Sequence, residues 1–147
     1  MKPARTLKQR GKTEPQRAQA SRETILLVDD ERVMREYLQS ILREEGYRVL
    51  LADNGEDALS RSEKFPGDIH LLITDVMMPV MNGKELADRL CVLRPLIKVL
   101  FISGYGRADI WPVEACEDQT DWLPKPFSAQ AFHAKVRKIL DSAVPPV

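Results

Sequence analysis

The sequence predicts an α/β fold, a doubly wound five-stranded parallel sheet with helices on both faces. Three observations carry this. From Thr24 onward, short β-branched runs alternate with longer segments of helical period. Gly46, the Pro66–Gly67 pair and Pro95 close the first three helical segments. Five strand and helix pairs in strict alternation demand right-handed crossovers, and these cover both faces of one sheet.

The elements follow in order. "TILLV" is the first strand, and Val33, Met34, Tyr37, Leu38, Ile41 and Leu42 then recur on one helical face that ends at Gly46. "YRVLLA" is the second strand, followed by a helix that begins near Gly55 and buries Ala58, Leu59 and Phe65. "IHLLIT" is the third strand and "KELADRLCVL" the third helix; "KVLFIS" is the fourth strand. Pro112 lies inside "RADIWPVEACED", which predicts a fourth helix that is short, kinked or begins at the proline. A brief strand at "DWL" and a helix from Ser128, with Phe132, Val136, Ile139 and Leu140 on one face, complete the series.

Length and charge bound the organisation. The chain has 147 residues, enough for one domain with a substantial core and too few for two comfortable ones. Formal net charge is zero, but residues 1–22 hold seven Lys or Arg against one Glu, leaving 15 basic and 21 acidic residues in the remainder. This predicts a basic disordered tail over 1–22, a domain over 23–141 and a short C-terminal tail over 142–147. The basic tail lacks the aromatic or amphipathic pattern expected of a nucleic-acid or membrane contact. Cys91 and Cys116 fall in neither a CxxC pattern nor a metal-ligand spacing, which predicts reduced, packing thiols. With no signal-peptide core and no run long enough to cross a bilayer, the expectation is a soluble, cytoplasmic protein.

Functional groups on such sheets collect beyond the carboxyl ends of the strands. The first strand ends in Asp29 and Asp30, the third in Asp75 and the fourth in Ser103, while the fifth leads within two residues to Lys125. Converging carboxylates repel one another, so the set makes sense around a cation. Hard oxygen ligands without His or Cys point to Mg²⁺, which typically uses few protein carboxylates together with phosphate oxygens. A phosphate is thereby implied, with Lys125 as its charge partner and the Ser103 hydroxyl as a donor. A carboxylate can itself be the nucleophile, giving an aspartyl phosphate, and Asp75 stands at the centre of the cluster.

Taken in order, "VDD", "DVMMPVMNG", "ISG" and "KPF" resemble the receiver domains of bacterial two-component response regulators, over Thr24 to about Asp141. The style of "VLFISGYG" and the region after it is similar to receivers at the C-terminal end of hybrid sensor kinases. The resemblance implies the flavodoxin-like strand order 2-1-3-4-5. It implies that Asp75 accepts a phosphoryl group from a phosphohistidine of a sensor histidine kinase or phosphotransfer protein, or from a small phosphodonor. Asp30 would hold Mg²⁺ directly and Asp29 through water, with the backbone carbonyl of Met77 as a further ligand. Ser103 would hydrogen-bond the phosphoryl group, Lys125 would pair with it through a strand end followed by a cis Lys125–Pro126 peptide, and Trp122 would act as the aromatic of the switch. Met77 and Tyr105 occupy the two positions that tune phosphate lifetime in the family, and neither positions an attacking water, so slow self-dephosphorylation is expected.

Bland roles suit other residues. Met77, Met78 and Met81 read as flexible loop packing rather than a soft metal site. His70 and His133 sit in no phosphotransfer setting and read as structural or surface residues. Aspartate-nucleophile phosphohydrolases carry a second acid two residues after the first, where this chain has Met77, so that reading is rejected. After the last helix only "SAVPPV" remains, which predicts a single-domain regulator whose output is another protein. The alternatives are a receiver detached from a hybrid kinase and a phosphorylation-independent adaptor.

Overall fold

The computed structural model describes residues 23–104 and 117–142. The expected basic tail over 1–22, residues 107–116 of the fourth helical segment "RADIWPVEACED" (Cys116 among them) and Tyr105 lie outside the described residues, as does the tail beyond Ser142. The strands are β1 (Thr24–Val28), β2 (Arg48–Ala52), β3 (Leu71–Asp75), β4 (Lys98–Ser103) and β5 (Thr120–Pro124). The helices are α1 (Arg32–Glu44), α2 (Gly55–Lys64), α3 (Gly83–Leu93) and α4 (Ala129–Asp141), with a 3₁₀ turn over Glu117–Gln119.

All four strand pairs are parallel, in the order β2-β1-β3-β4-β5. This is the expected order. Strands buried on both faces read as continuous apolar runs rather than alternating ones, which explains "TILLV" and "KVLFIS". Within them successive residues still point to opposite faces. Leu26, Val28, Leu72, Val99 and Phe101 join Ala58 of α2 and Leu86, Leu90 and Cys91 of α3 in one core layer. Ile25, Leu27, Ile73, Leu100 and Ile102 join Leu38 and Leu42 of α1 and Phe132, Val136 and Ile139 of α4 in the other. Each fully buried Leu, Ile or Phe contributes about 1.5–3 kcal/mol by leaving water.

Side chains that fix the helix starts also fix the loops beside the sheet. Asn54, Asn82 and Ser128 accept hydrogen bonds from the amides of Asp57, Glu85 and Ala131 at 2.7, 2.8 and 3.0 Å, capping α2, α3 and α4. Gly46, with φ 93°, turns the chain from α1 into β2 in a conformation that suits glycine best.

Three expectations need correction. The buried face of α1 is narrower than its apolar stripe: Leu38 and Leu42 are buried and Met34 and Ile41 partly so, whereas Val33 is 81% exposed and Tyr37 46%. A helix lying on a sheet covers one arc only, and residues 33 and 37 sit one position round from it. Phe65 lies just beyond α2 rather than within it, half-buried against the core. Cys91, expected to be a thiol, is buried and disulfide-bonded. His70 Nδ1, just before β3, accepts the Thr24 amide at 3.0 Å, and His133 Nε2 lies 3.1 Å from Glu45 Oε1. Among the described residues no helix is long and apolar enough to cross a membrane.

Candidate functional site

The parallel register brings the polar strand ends to one rim. Val28 pairs with Ala52 and Thr74, Asp75 with Ile102 and Ser103 with Pro124, so Asp29, Asp30, Asp75, Ser103 and Lys125 leave the sheet on the same side. One carboxylate oxygen from each of Asp29, Asp30 and Asp75 lies within 4.8 Å of the others. At that spacing each ionised pair repels by about 3–4 kcal/mol for an effective dielectric near 20. Lys125 Nζ donates to Asp75 Oδ2 at 3.0 Å and neutralises one charge. The remaining excess is negative, and hard oxygens without nitrogen or sulfur are the donor set that suits Mg²⁺.

Each carboxylate is held differently. Asp29 is 2% exposed, and its Oδ1 accepts the Glu31 amide at 2.8 Å. Burial pushes its carboxyl up from the usual 3.8 to about 6; the Glu31 amide pulls the other way and the Asp75 charge adds to the rise. Asp30 is exposed at the mouth. Asp75, 9% exposed, accepts the Met77 amide through Oδ1 at 3.2 Å and Lys125 through Oδ2. Burial lowers the proton affinity of the Lys125 ammonium, but the hydrogen bond to Asp75 and its charge outweigh that and raise it.

Two loops complete the rim. After Asp75 the backbone folds so closely that a Cβ on Gly83 would stand 2.2 Å from the Asp75 carbonyl oxygen, so only glycine fits there. The Gly83 amide donates to the Val76 carbonyl at 2.8 Å. Between them the Met81 amide bonds the Pro79 carbonyl at 2.8 Å across Val80, whose φ of 71° marks a strained γ-turn. Met77 is 58% exposed, while Met78 and Met81 are buried and pack in the core layer, as expected for loop packing. On the other side, the Lys125 amide donates to the Ser103 carbonyl at 2.8 Å and the Lys125–Pro126 peptide is cis. Ser103 is 1% exposed at the end of β4. Trp122 is half-buried on β5, beside Phe101 in register, and packs against the α2–α3 core layer. Its amide donates to Asp121 Oδ1 at 2.8 Å.

Sequence reasoning missed one residue of this rim. Arg35 Nη1 donates to the Asp29 carbonyl at 2.6 Å. The signal lay in helix geometry: side chains on a helix lean toward its N-terminus, so a long cation at the end of the first turn of α1 reaches back to the strand end.

The family model for the response regulator receiver domain matches residues 25–137. The chain is 35% identical over 119 residues to the response regulator receiver protein CpdR of Brucella abortus, covering 81% of this chain and 98% of that protein. It is 34% identical over 118 residues to the sensor kinase CckA of the same organism, covering 80% of this chain and 12% of the kinase. Among solved structures, a CheY-like receiver domain protein from Methanospirillum hungatei superposes with a TM-score of 0.73 at 28% identity, covering 82% of this chain and 95% of that one. A parallel sheet in this order, an acidic strand-end rim and a family match across the domain lead to one conclusion: the chain belongs to the response regulator receiver domain family of two-component signal transduction.

Proposed function

We propose that Asp75 is the phosphoacceptor of this receiver and that the rim around it performs the transfer. The observation that carries the reading is the crowding of Asp29, Asp30 and Asp75 oxygens within 4.8 Å, with Lys125 Nζ 3.0 Å from Asp75. A carboxylate oxygen of Asp75 forms the new O–P bond as the P–N bond of a phosphohistidine breaks, and the imidazole nitrogen keeps the electron pair. Asp30 would hold Mg²⁺ directly, Asp29 through water, and the Met77 carbonyl would add a ligand. Mg²⁺ supplies charge neutralisation of the phosphoryl oxygens, the main requirement of phosphoryl transfer. The Met77 amide orients Asp75 for attack, and Lys125 shifts from the carboxylate to the phosphoryl group it has gained. The Ser103 hydroxyl then donates to a phosphoryl oxygen, and Trp122 moves in response, altering the surface around β5 and α4. Allosteric couplings of about 1–3 kcal/mol suffice for such a switch.

The donor is a sensor histidine kinase or phosphotransfer protein, and the recipient of the signal is another protein. Similarity to the response regulator receiver protein CpdR along nearly all of that protein supports a receiver role in two-component signalling.

The test is intact mass after incubation with acetyl phosphate and Mg²⁺, beside Asp75→Asn and an EDTA control. One metal-dependent phosphoryl group on the wild type alone is expected. A folded wild type that gains none, and that binds no beryllofluoride, would instead favour a phosphorylation-independent adaptor.

A further inference from the structure

We propose that Arg35 is a positioning residue for the divalent-cation site, acting through the backbone of Asp29; this rests on the functional reading above. The two acids of β1's end differ in how they are held. The Asp29 carboxylate is fixed by the Glu31 amide, and its own amide donates to the Ala52 carbonyl at 3.3 Å. The Asp30 carboxylate is exposed and accepts no hydrogen bond from the described residues. Its direction therefore depends on the peptide plane that precedes it. That plane carries the Asp29 carbonyl, and Arg35 Nη1 holds this oxygen at 2.6 Å.

The arrangement has a charge penalty that argues against a purely electrostatic role. A guanidinium beside a cation site repels the cation, so a residue serving only charge balance would weaken Mg²⁺ binding. Half-buried, and reaching back from the end of α1's first turn, Arg35 instead locks the turn that presents both acids. A planar guanidinium holds its partner in a defined direction, which an ammonium does less well. Groups that orient metal ligands from outside typically govern affinity strongly even though they never touch the metal.

Calorimetric titration of the intact chain with Mg²⁺ alone tests this, using wild type, Arg35→Met and Arg35→Lys, each checked for folding by thermal unfolding without metal. Positioning predicts that Arg35→Met weakens Mg²⁺ binding by about ten-fold, as removal of an orienting group typically does. Arg35→Lys falls between, and the acetyl phosphate rate returns to the wild-type value at saturating Mg²⁺. Equal or tighter Mg²⁺ binding by folded Arg35→Met would overturn the proposal, as would a rate loss that saturating Mg²⁺ does not restore. Should Arg35→Met fail to fold, Arg35→Lys decides by the same two readouts. A wild type that binds no Mg²⁺ would count against the functional reading itself, a result distinct from any of these.

Discussion

The two ends of the sheet treat buried charge in opposite ways. At the amino end, Lys98 is 9% exposed at the start of β4, and its ammonium donates to the carbonyls of Ile139 at 3.0 Å, Leu140 at 3.4 Å and Ser142. It thereby closes the C-terminus of α4, where carbonyls lack helical partners and the helix dipole favours a cation. Arg137 nearby donates to Asp141 at 2.8 Å, Glu23 at 3.0 Å and the Tyr47 hydroxyl at 2.9 Å. Burial alone would weaken its hold on the proton, but the bonds to Asp141 and Glu23 outweigh that. At the carboxyl end, three acids share a small volume with Lys125 bonded to one of them. The first end gives its cations carbonyl and carboxylate partners, although burial still lowers the proton affinity of the Lys98 ammonium and Glu23 Oε1 is buried without a hydrogen-bond partner. The second keeps an electrostatic deficit that folding by itself does not relieve, which is what a cation and a phosphoryl group need.

Breaking the amino end should have the larger effect on stability. Lys98→Ala removes the ammonium from the Ile139, Leu140 and Ser142 carbonyls, of which Ile139 keeps the Ser142 amide and hydroxyl, and should cost about 2–3 kcal/mol, in the range for lost charged hydrogen bonds. Urea unfolding checks this, and phosphorylation of the folded fraction should be unaffected because Lys98 is at the far end of the strand that carries Ser103.

Relieving the crowded end should stabilise the metal-free protein. Asp29 has its folded-state value raised from 3.8 to about 6, so the folded state binds its proton more tightly than the unfolded chain. Below the unfolded value the acid is neutral in both states and imposes no penalty; as pH rises through the folded value the penalty reaches its full size of about 2–3 kcal/mol. Asp29→Asn should therefore be more stable than wild type by up to about 2 kcal/mol at pH 7 without metal, with the advantage fading as pH falls from 6 to 4. The comparison is sharpened by measuring unfolding of both proteins across that window. A constant difference would mean that Asp29 is not the strained acid.

What the sequence made legible divides along similar lines. Strand ends carry their acids, hydroxyl and lysine in local, ordered motifs, and parallel pairing brings Asp29, Asp30, Asp75, Ser103 and Lys125 to one rim. The burial of "TILLV" on both faces follows from helices covering both sides of the sheet, while the strand order came with the family resemblance. Contacts between distant segments left no such trace. Lys98 reads locally as the polar start of a strand, and only closure by α4 makes it a buried cap. Cys91 and Cys116 follow no pairing motif, so the disulfide at Cys91 was hidden. Val33 and Tyr37 match the apolar period of α1, yet the width of the buried arc is set by what the helix rests on. Arg35 was concealed because its partner is a backbone carbonyl, which no residue pattern records.

The most direct test of the account locates the phosphoryl group. The protein is phosphorylated with acetyl phosphate and Mg²⁺, the acyl phosphate is reduced with borohydride, and the resulting homoserine is mapped by peptide mass. Homoserine at position 75 alone is the predicted result. Homoserine at position 29 or 30 with position 75 unmodified would contradict the assignment of Asp75 as the nucleophile of the crowded rim.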